Sequence, residues 1–128
     1  MKILIADGDA VFGSVLKEKL EKERIDVEIL RNGSEVHGRA KEFKPDLIVM
    51  DLVLPQKEGF DVLTELKDDS TLKSVPVMIV TDIFGDEDIK RALDAGAVNY
   101  YVKSQHPVTE IVQNIKDFLI MPKDKQSL

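Results

Sequence analysis

The sequence predicts an α/β fold of the doubly wound type, in which a five-stranded parallel sheet is covered by helices on both faces. Five short apolar runs alternate along the chain with five longer stretches whose apolar residues recur at helical spacing, and this alternation is typical of parallel sheets. The first and third runs show no polar alternation, as expected for strands buried on both faces. A chain of 128 residues suits one such domain.

The predicted strands follow the apolar runs, and several end where a charged or hydroxyl residue begins. The second run is less apolar than the others, which predicts a position nearer an edge of the sheet. The five predicted strands are residues 3–6, 26–30, 47–50, 77–80 and 98–102.

The predicted helices have one apolar face each and recognisable ends. The first helix has apolar residues spaced for one face, namely Val11, Phe12, Val15, Leu16 and Leu20. Ser34 is predicted to cap the second helix, which runs to about Phe43 before Pro45 breaks it. A third helix follows the loop at Gly59. The fourth and fifth helices are predicted over residues 86–95 and 108–119.

Composition excludes several classes of function. Acidic residues outnumber basic ones, 24 to 18, for a net charge of -6, which argues against direct nucleic-acid binding. The chain has no cysteine, so thiolate catalysis and Cys-ligated zinc are excluded. The apolar runs are too short for a signal peptide or a membrane span. We therefore expect a cytoplasmic protein that does not enter a membrane.

Polar side chains stand at the carboxyl ends of four predicted strands. Asp7 follows the first strand, Asp51 the third, Thr81 the fourth and Lys103 the fifth. Ligands of open α/β sheets bind at this edge, and two carboxylates, a hydroxyl and an ammonium suit a hard cation and a phosphoryl group. The alternative is that each is a solvated loop residue, which is much less convincing for all four together.

The loop that begins at Asp51 resembles the phosphorylation loop of response-regulator receivers, with Pro55 and Gly59 at matching positions. Thr81 lies thirty residues after Asp51 and Lys103 lies fifty-two after it, which resembles the spacing of the family's switch hydroxyl and lysine. The resemblance covers about residues 2–120. It implies a receiver domain over residues 1–120, followed by a loose tail at residues 121–128.

The resemblance implies a flavodoxin-like, CheY-like fold with strand order 2-1-3-4-5, and a phosphoacceptor role for Asp51. A histidine kinase, a phosphotransfer protein or a small phosphodonor would supply the phosphoryl group. Lys103 would pair with Asp51 and then with a phosphate oxygen, and Thr81 would turn inward to donate to another. Tyr100 would follow from an exposed to a buried rotamer, although ordinary packing would also explain this tyrosine.

The resemblance also implies a magnesium ion held by Asp7, Asp51 and the backbone carbonyl of Val53. The family's second acid, which contacts the metal directly, is replaced by Gly8. Asp9 would either compensate for it or cap the first helix, and we favour the cap. We therefore expect weak magnesium binding and slow phosphotransfer.

Two further departures from the family pattern concern the loops beside the site. Asp82 replaces a small residue after the switch hydroxyl, so it would repel a phosphoryl group or point to solvent. Ser104 stands where many members have proline after the lysine. The two histidines, His37 and His106, lie near no ligand-type cluster, and we expect no chemical role for them.

The expected partners are a histidine kinase or phosphotransfer protein and either a downstream protein or an output domain that this chain lacks. The resemblance implies a switching surface on the fourth helix, fifth strand and fifth helix, which would also suit a homodimer. It implies a signalling domain and not an enzyme, beyond self-phosphorylation and self-dephosphorylation.

Two other functions are open at this point. One is an interaction module that keeps the fold and has lost phosphorylation, as Gly8 and Asp82 suggest. The other is a phosphohydrolase of the haloacid-dehalogenase type, whose first motif resembles the stretch from Asp7 to Asp9. That enzyme needs a later acidic pair, for which the chain offers Glu110 and Asp117. A flavin-binding domain fits less well because the acidic first loop would repel phosphate.

Overall fold

The computed structural model describes residues 1–126 and contains one five-stranded parallel sheet with strand order β2-β1-β3-β4-β5. Both the predicted fold class and the implied strand order are confirmed. The polar residue Thr81 belongs to its strand instead of following it. The strands are β1 (Lys2–Ala6), β2 (Asp26–Leu30), β3 (Leu47–Met50), β4 (Val77–Thr81) and β5 (Asn99–Val102).

In the part of the chain that the structure describes, five α-helices connect or follow the strands and form two layers. The helices α1 and α5 pack on one face of the sheet, and α2, α3 and α4 pack on the other. The helices are α1 (Ala10–Glu21), α2 (Val36–Phe43), α3 (Gly59–Asp68), α4 (Asp86–Asp94) and α5 (Val108–Ile120).

The core consists of two clusters separated by the sheet. Successive residues of β1 alternate between them, with Ile3 and Ile5 facing α1 and α5, and Leu4 and Ala6 facing the other helices. All four side chains are buried, which explains why the strand shows no polar alternation. Burying an Ile or Leu side chain stabilises the fold by about 1.5–3 kcal/mol, so these strands hold the polar edge residues on a rigid support.

The start of α2 differs from the prediction. Ser34 lies inside a 3₁₀ turn, and Glu35 occupies the N-cap position without a side-chain capping bond. The Ser34 hydroxyl lies 2.6 Å from Asn32 Oδ1 and 2.7 Å from Gln56 Oε1. The predicted cap is wrong because this hydroxyl links the loop before α2 to the loop after β3.

The chain after α5 turns back on that helix. Gln126 Nε2 donates to the carbonyl oxygens of Phe118, at 3.1 Å, and Met121, at 3.3 Å. Residues 127–128, the end of the predicted loose tail, lie outside the described residues, and the domain boundary at residue 120 stays a prediction. Within residues 1–126, no helix is long and apolar enough to cross a membrane.

A charged cluster joins α2 to the end of α3 around Asp69. The Asp69 carboxylate accepts hydrogen bonds from the hydroxyl of Thr71, at 2.6 Å, and from its backbone N–H, at 2.8 Å. It also pairs with Lys41 Nζ at 3.1 Å and with His37 Nε2 at 2.7 Å. These contacts, Thr71 first, hold the pKa of Asp69 well below its usual range.

We predict that Asp69→Asn lowers the free energy of unfolding at neutral pH and flattens its decline in acid. A carboxylate with a lowered pKa stabilises the fold above its unfolded pKa, and this contribution is lost as pH falls below about 4. Urea unfolding between pH 7 and about pH 3 measures both effects. Asp68→Asn, at the exposed neighbouring position, is the control and should leave the pH profile unchanged. Parallel profiles for Asp69→Asn and the unmodified protein would contradict the prediction.

Candidate functional site

The site lies at the carboxyl edge of the sheet, where the structure brings together Asp7, Asp51, Thr81 and Lys103. Strand β3 pairs in parallel with β1 on one side and β4 on the other, and β4 pairs with β5. The ends of these four strands therefore meet at one edge. Asp7, Asp51 and Thr81 are buried, so they are not solvated loop residues.

Asp51 is held at both carboxylate oxygens. Its Oδ1 accepts hydrogen bonds from the Thr81 hydroxyl, at 2.6 Å, and from the backbone N–H of Val53, at 2.9 Å. Its Oδ2 accepts a hydrogen bond from Lys103 Nζ at 2.8 Å. Thr81 thus already points inward, and two donors from distant parts of the chain surround one buried carboxylate.

Lys103 is shared between two carboxylates. Its Nζ lies 2.9 Å from Asp7 Oδ2 and 2.8 Å from Asp51 Oδ2, and its side chain is only 7% exposed. Burial works against the charge, but the hydrogen bonds to Asp51 and Asp7 outweigh it and raise the pKa of Lys103. The ammonium also lies 4.4 Å from the ring centre of Phe12. The apolar spacing of α1 gave no signal for this cation–π contact.

Asp7 is oriented by the loop that follows it. Its Oδ1 accepts a hydrogen bond from the backbone N–H of Asp9 at 2.8 Å. Burial raises the pKa of Asp7 above its ordinary value, although the hydrogen bond from Lys103 opposes this. The Asp9 side chain accepts the N–H groups of Val11 and Phe12, both at 3.1 Å, so the predicted cap of α1 is confirmed. Asp9 Oδ1 therefore caps α1 and does not compensate for the acid that Gly8 replaces.

The donor set suits a divalent cation only weakly. Gly8 leaves two acids, Asp7 and Asp51, and every oxygen of these carboxylates accepts a hydrogen bond from the protein. Within residues 1–126, no cluster of three or more His, Asp or Glu side chains is arranged to hold a metal ion. Mg²⁺ often uses one or two carboxylates together with phosphate oxygens. If a magnesium ion binds here, Asp7, Asp51 and the carbonyl of Val53 would hold it together with phosphate oxygens, and we expect that binding to be weak.

Tyr100 and Asp82 lie beside the site on β5 and on the loop after β4. The Tyr100 hydroxyl donates to the carbonyl of Ile83 at 2.7 Å. The ring is half-buried, and burial raises the pKa of Tyr100 to about 12. Asp82 is exposed. Of the two expectations for this acid, repulsion of a phosphoryl group or a position in solvent, the structure agrees with the second.

The acids that a dehalogenase-type phosphohydrolase would need are not at the site. Glu110 and Asp117 are both exposed on α5. Glu110 pairs with His106 at 3.1 Å, and Asp117 accepts a hydrogen bond from Gln113 at 2.9 Å. The structure therefore places neither acid with Asp7.

A 2-1-3-4-5 parallel sheet with the side chains of aspartate, threonine and lysine buried at its carboxyl edge defines the CheY-like class of α/β domains. Residues 3–116 match the response regulator receiver domain, and the chain belongs to that family. The resemblance noted from the motifs is thereby confirmed.

Curated relatives of different lengths agree with this assignment. The DNA-binding response regulator MtrA of Mycobacterium tuberculosis is 31% identical over 115 residues, which cover 90% of this chain and 49% of MtrA. The polar-differentiation response regulator DivK of Brucella anthropi is 31% identical over 119 residues, which cover 91% of this chain and 94% of DivK. The chain thus spans about half the length of MtrA and nearly all of DivK.

Solved structures of response regulators superpose well on this chain. The phosphorylated cyanobacterial phytochrome response regulator RcpA has a TM-score of 0.82 and 30% identity, with 93% of each chain covered. The Mn²⁺-bound form of response regulator Rcp1 has a TM-score of 0.82 and 27% identity, with 91% of this chain and 92% of Rcp1 covered.

Proposed function

We propose that this receiver domain accepts a phosphoryl group on Asp51 from a histidine kinase or a phosphotransfer protein. The observation that carries the proposal is the hydrogen bonding of Asp51, whose two oxygens face the hydroxyl of Thr81 and the ammonium of Lys103. A carboxylate is a poor nucleophile unless its site orients it. Fixed donors around it would also stabilise charge that develops during transfer.

The reaction is a substitution at phosphorus. One carboxylate oxygen of Asp51 forms a new P–O bond, the bond between phosphorus and the donor breaks, and the leaving group keeps that electron pair and takes a proton. Lys103 and Thr81 would then bind phosphate oxygens, since both already contact the carboxylate. In-line geometry and charge stabilisation supply most of the catalysis of such transfers.

Magnesium, bound weakly, is the cofactor of this proposal. When present, the ion would neutralise charge on the transferring phosphoryl group. Rcp1 is described in a Mn²⁺-bound form and RcpA in a phosphorylated form, and these related domains support the assignment.

The output of the domain would be a change in a protein-binding surface. Thr81 and Tyr100 connect Asp51 to β4, β5 and the loop before α4, so phosphorylation would shift the population of the surface formed by α4, β5 and α5. A downstream protein, an output domain or a second copy of this chain would bind there. MtrA is a DNA-binding response regulator about twice as long as the matched segment. It supports an output domain as one of these three possible partners.

Treatment with acetyl phosphate and magnesium tests the proposal. We expect the intact mass to increase by one phosphoryl group, and beryllofluoride with magnesium to change amide resonances around Thr81 and Tyr100. Asp51→Asn should abolish both responses, because an amide cannot replace the nucleophilic carboxylate. Asp82→Asn removes an exposed acid from the next loop and is the matched control, which should still respond. No mass gain at millimolar donor would contradict the proposal.

A second candidate is a phosphorylation-independent interaction module. Gly8 replaces an acid, and the hydroxyls of Thr81 and Tyr100 donate to Asp51 and to the carbonyl of Ile83. Both switch residues therefore have partners within the fold itself. This candidate predicts that partner binding is the same for Asp51→Asn and the unmodified protein. A loss of binding in Asp51→Asn that appears only with donor present would exclude it.

A further inference from the structure

Arg31, directly after β2, reaches across to the loop between β1 and α1. Its Nη1 lies 3.2 Å from the carbonyl oxygen of Asp9 and 3.4 Å from that of Asp7. Its Nη2 lies 3.3 Å from the hydroxyl of Ser14. The guanidinium therefore donates to the carbonyls on both sides of Gly8, the residue that stands in place of the missing acid.

Gly13 in α1 makes room for this guanidinium. A Cβ added at Gly13 would lie 3.0 Å from Arg31 Nη1 and 3.8 Å from Asp7 Cβ. Gly13 is buried in the first turns of the helix and has an ordinary helical backbone, so its conformation does not require glycine. Glycine is a poorer helix former than alanine, and here the Arg31 guanidinium occupies the space that the methyl group of an alanine would need.

Among the described residues, no acidic side chain pairs with Arg31. Its hydrogen bonds go to two carbonyls and a hydroxyl, and within residues 1–126 it forms no ion pair. Asp7 and Asp51 carry two negative charges at the site, and Lys103 supplies one positive charge between them. Arg31 adds a second positive charge beside the same loop.

We propose that Arg31 is a positioning residue, which holds the loop between β1 and α1 so that the Asp7 carboxylate faces Lys103 and Asp51. Gly13 provides the space for it. The contact that reports this position is the Asp9 N–H, which donates to Asp7 Oδ1 at 2.8 Å. The effect on phosphoryl transfer rests on the proposed function, whereas the effect on the loop does not.

A double-mutant cycle tests the pairing of Arg31 with Gly13. In the Arg31→Ala background, Gly13→Ala should raise the folding equilibrium constant about fivefold, as expected for alanine replacing glycine in a helix. In the unmodified background the same substitution should give no gain, because the new methyl group meets the guanidinium. Urea unfolding measures all four proteins. An equal gain in both backgrounds would show that Arg31 does not occupy this space and would overturn the proposal.

Amide exchange and phosphoryl uptake test the positioning role. Arg31→Ala should speed exchange of the Asp9 amide about tenfold and slow uptake from saturating acetyl phosphate about tenfold, because small displacements of reacting groups are costly. Arg31→Lys keeps the charge without the forked donors and should restore only part of each effect. Lys19→Ala removes a charge from the far end of α1 and should change neither.

The outcomes separate this proposal from the proposed function. If the unmodified protein takes up no phosphoryl group, the proposed function fails, and the exchange of the Asp9 amide still decides the role of Arg31. If uptake occurs and Arg31→Ala changes neither the exchange nor the uptake rate, the positioning role is overturned while the proposed function stands.

Discussion

Lys103→Met should lower the free energy of unfolding by about 3–5 kcal/mol at neutral pH, the usual loss when one partner of a buried ion pair is removed. Methionine keeps much of the length of the lysine side chain but cannot donate hydrogen bonds. The carboxylates of Asp7 and Asp51, both buried, would then face each other without the ammonium that now lies between them.

The loss in Lys103→Met should shrink as pH falls. Burial already raises the pKa of Asp7, and the hydrogen bond from Lys103 is the main effect that opposes it. Without that bond, the folded state binds a proton more readily than the unfolded state, so acid stabilises the variant relative to the unmodified protein. The stabilisation is complete below the unfolded pKa of Asp7 and is lost as pH rises through its raised folded pKa.

Urea unfolding from about pH 4, near the unfolded pKa of an aspartate, up to about pH 8 measures this prediction. Adding Asp7→Asn to Lys103→Met removes one of the two facing charges and should recover part of the stability at neutral pH. A loss that stays below about 1 kcal/mol and does not depend on pH would contradict the shared buried ion pair. Lys90→Met, which breaks an exposed pair with Asp94, is the control and should cost little.

Gly8→Asp should increase the affinity for Mg²⁺ at least about tenfold, because it supplies a third carboxylate beside Asp7 and Asp51. The Cβ would lie 3.3 Å from Cδ of Pro55, and this exposed proline must move slightly to accept it. Without magnesium the variant should be less stable, since two carboxylates about 4 Å apart repel by up to about 4 kcal/mol at an effective dielectric near 20. Magnesium should reverse that loss.

Two variants at the same position separate charge from shape. Gly8→Asn has the shape of the acid without its charge and should bind Mg²⁺ no better than the unmodified protein. Gly8→Ala tests only the contact with Pro55. Calorimetric titration with Mg²⁺, together with unfolding curves at several Mg²⁺ concentrations, measures both effects. Equal affinities for Gly8→Asp and Gly8→Asn would contradict the assignment of this loop to a metal site.

Much of the fold could be predicted because local patterns determine it. Strands buried on both faces must be apolar throughout, and residues 47–50 meet that requirement in the sequence itself. Asp51, Thr81 and Lys103 could be placed together because parallel strands end at one edge. The spacing of these residues then indicated the family before any contact was known, although their chemical roles stay predictions.

The remaining parts of the site depend on tertiary contacts that sequence patterns do not encode. Ser34 looked like a helix cap, but a side chain twenty-two residues away, Gln56, is the partner that its hydroxyl meets. Phe12 was one of the apolar residues spaced along the first helix, and Arg31 belonged to no pattern in the sequence. Arg31 reaches the first loop because β2 pairs with β1, and Phe12 reaches Lys103 because α1 begins at the sheet edge where β5 ends.

The sharing of Lys103 makes the two acids at the site competitors for one cation. An ammonium has three N–H bonds, and those of Lys103 already serve Asp7 as well as Asp51. Under the proposed function, new phosphate oxygens at Asp51 would draw those protons away from Asp7. Phosphorylation of Asp51 would then change the surface in two separate places. One change would pass through β4 toward α4, and the other through the first loop toward α1.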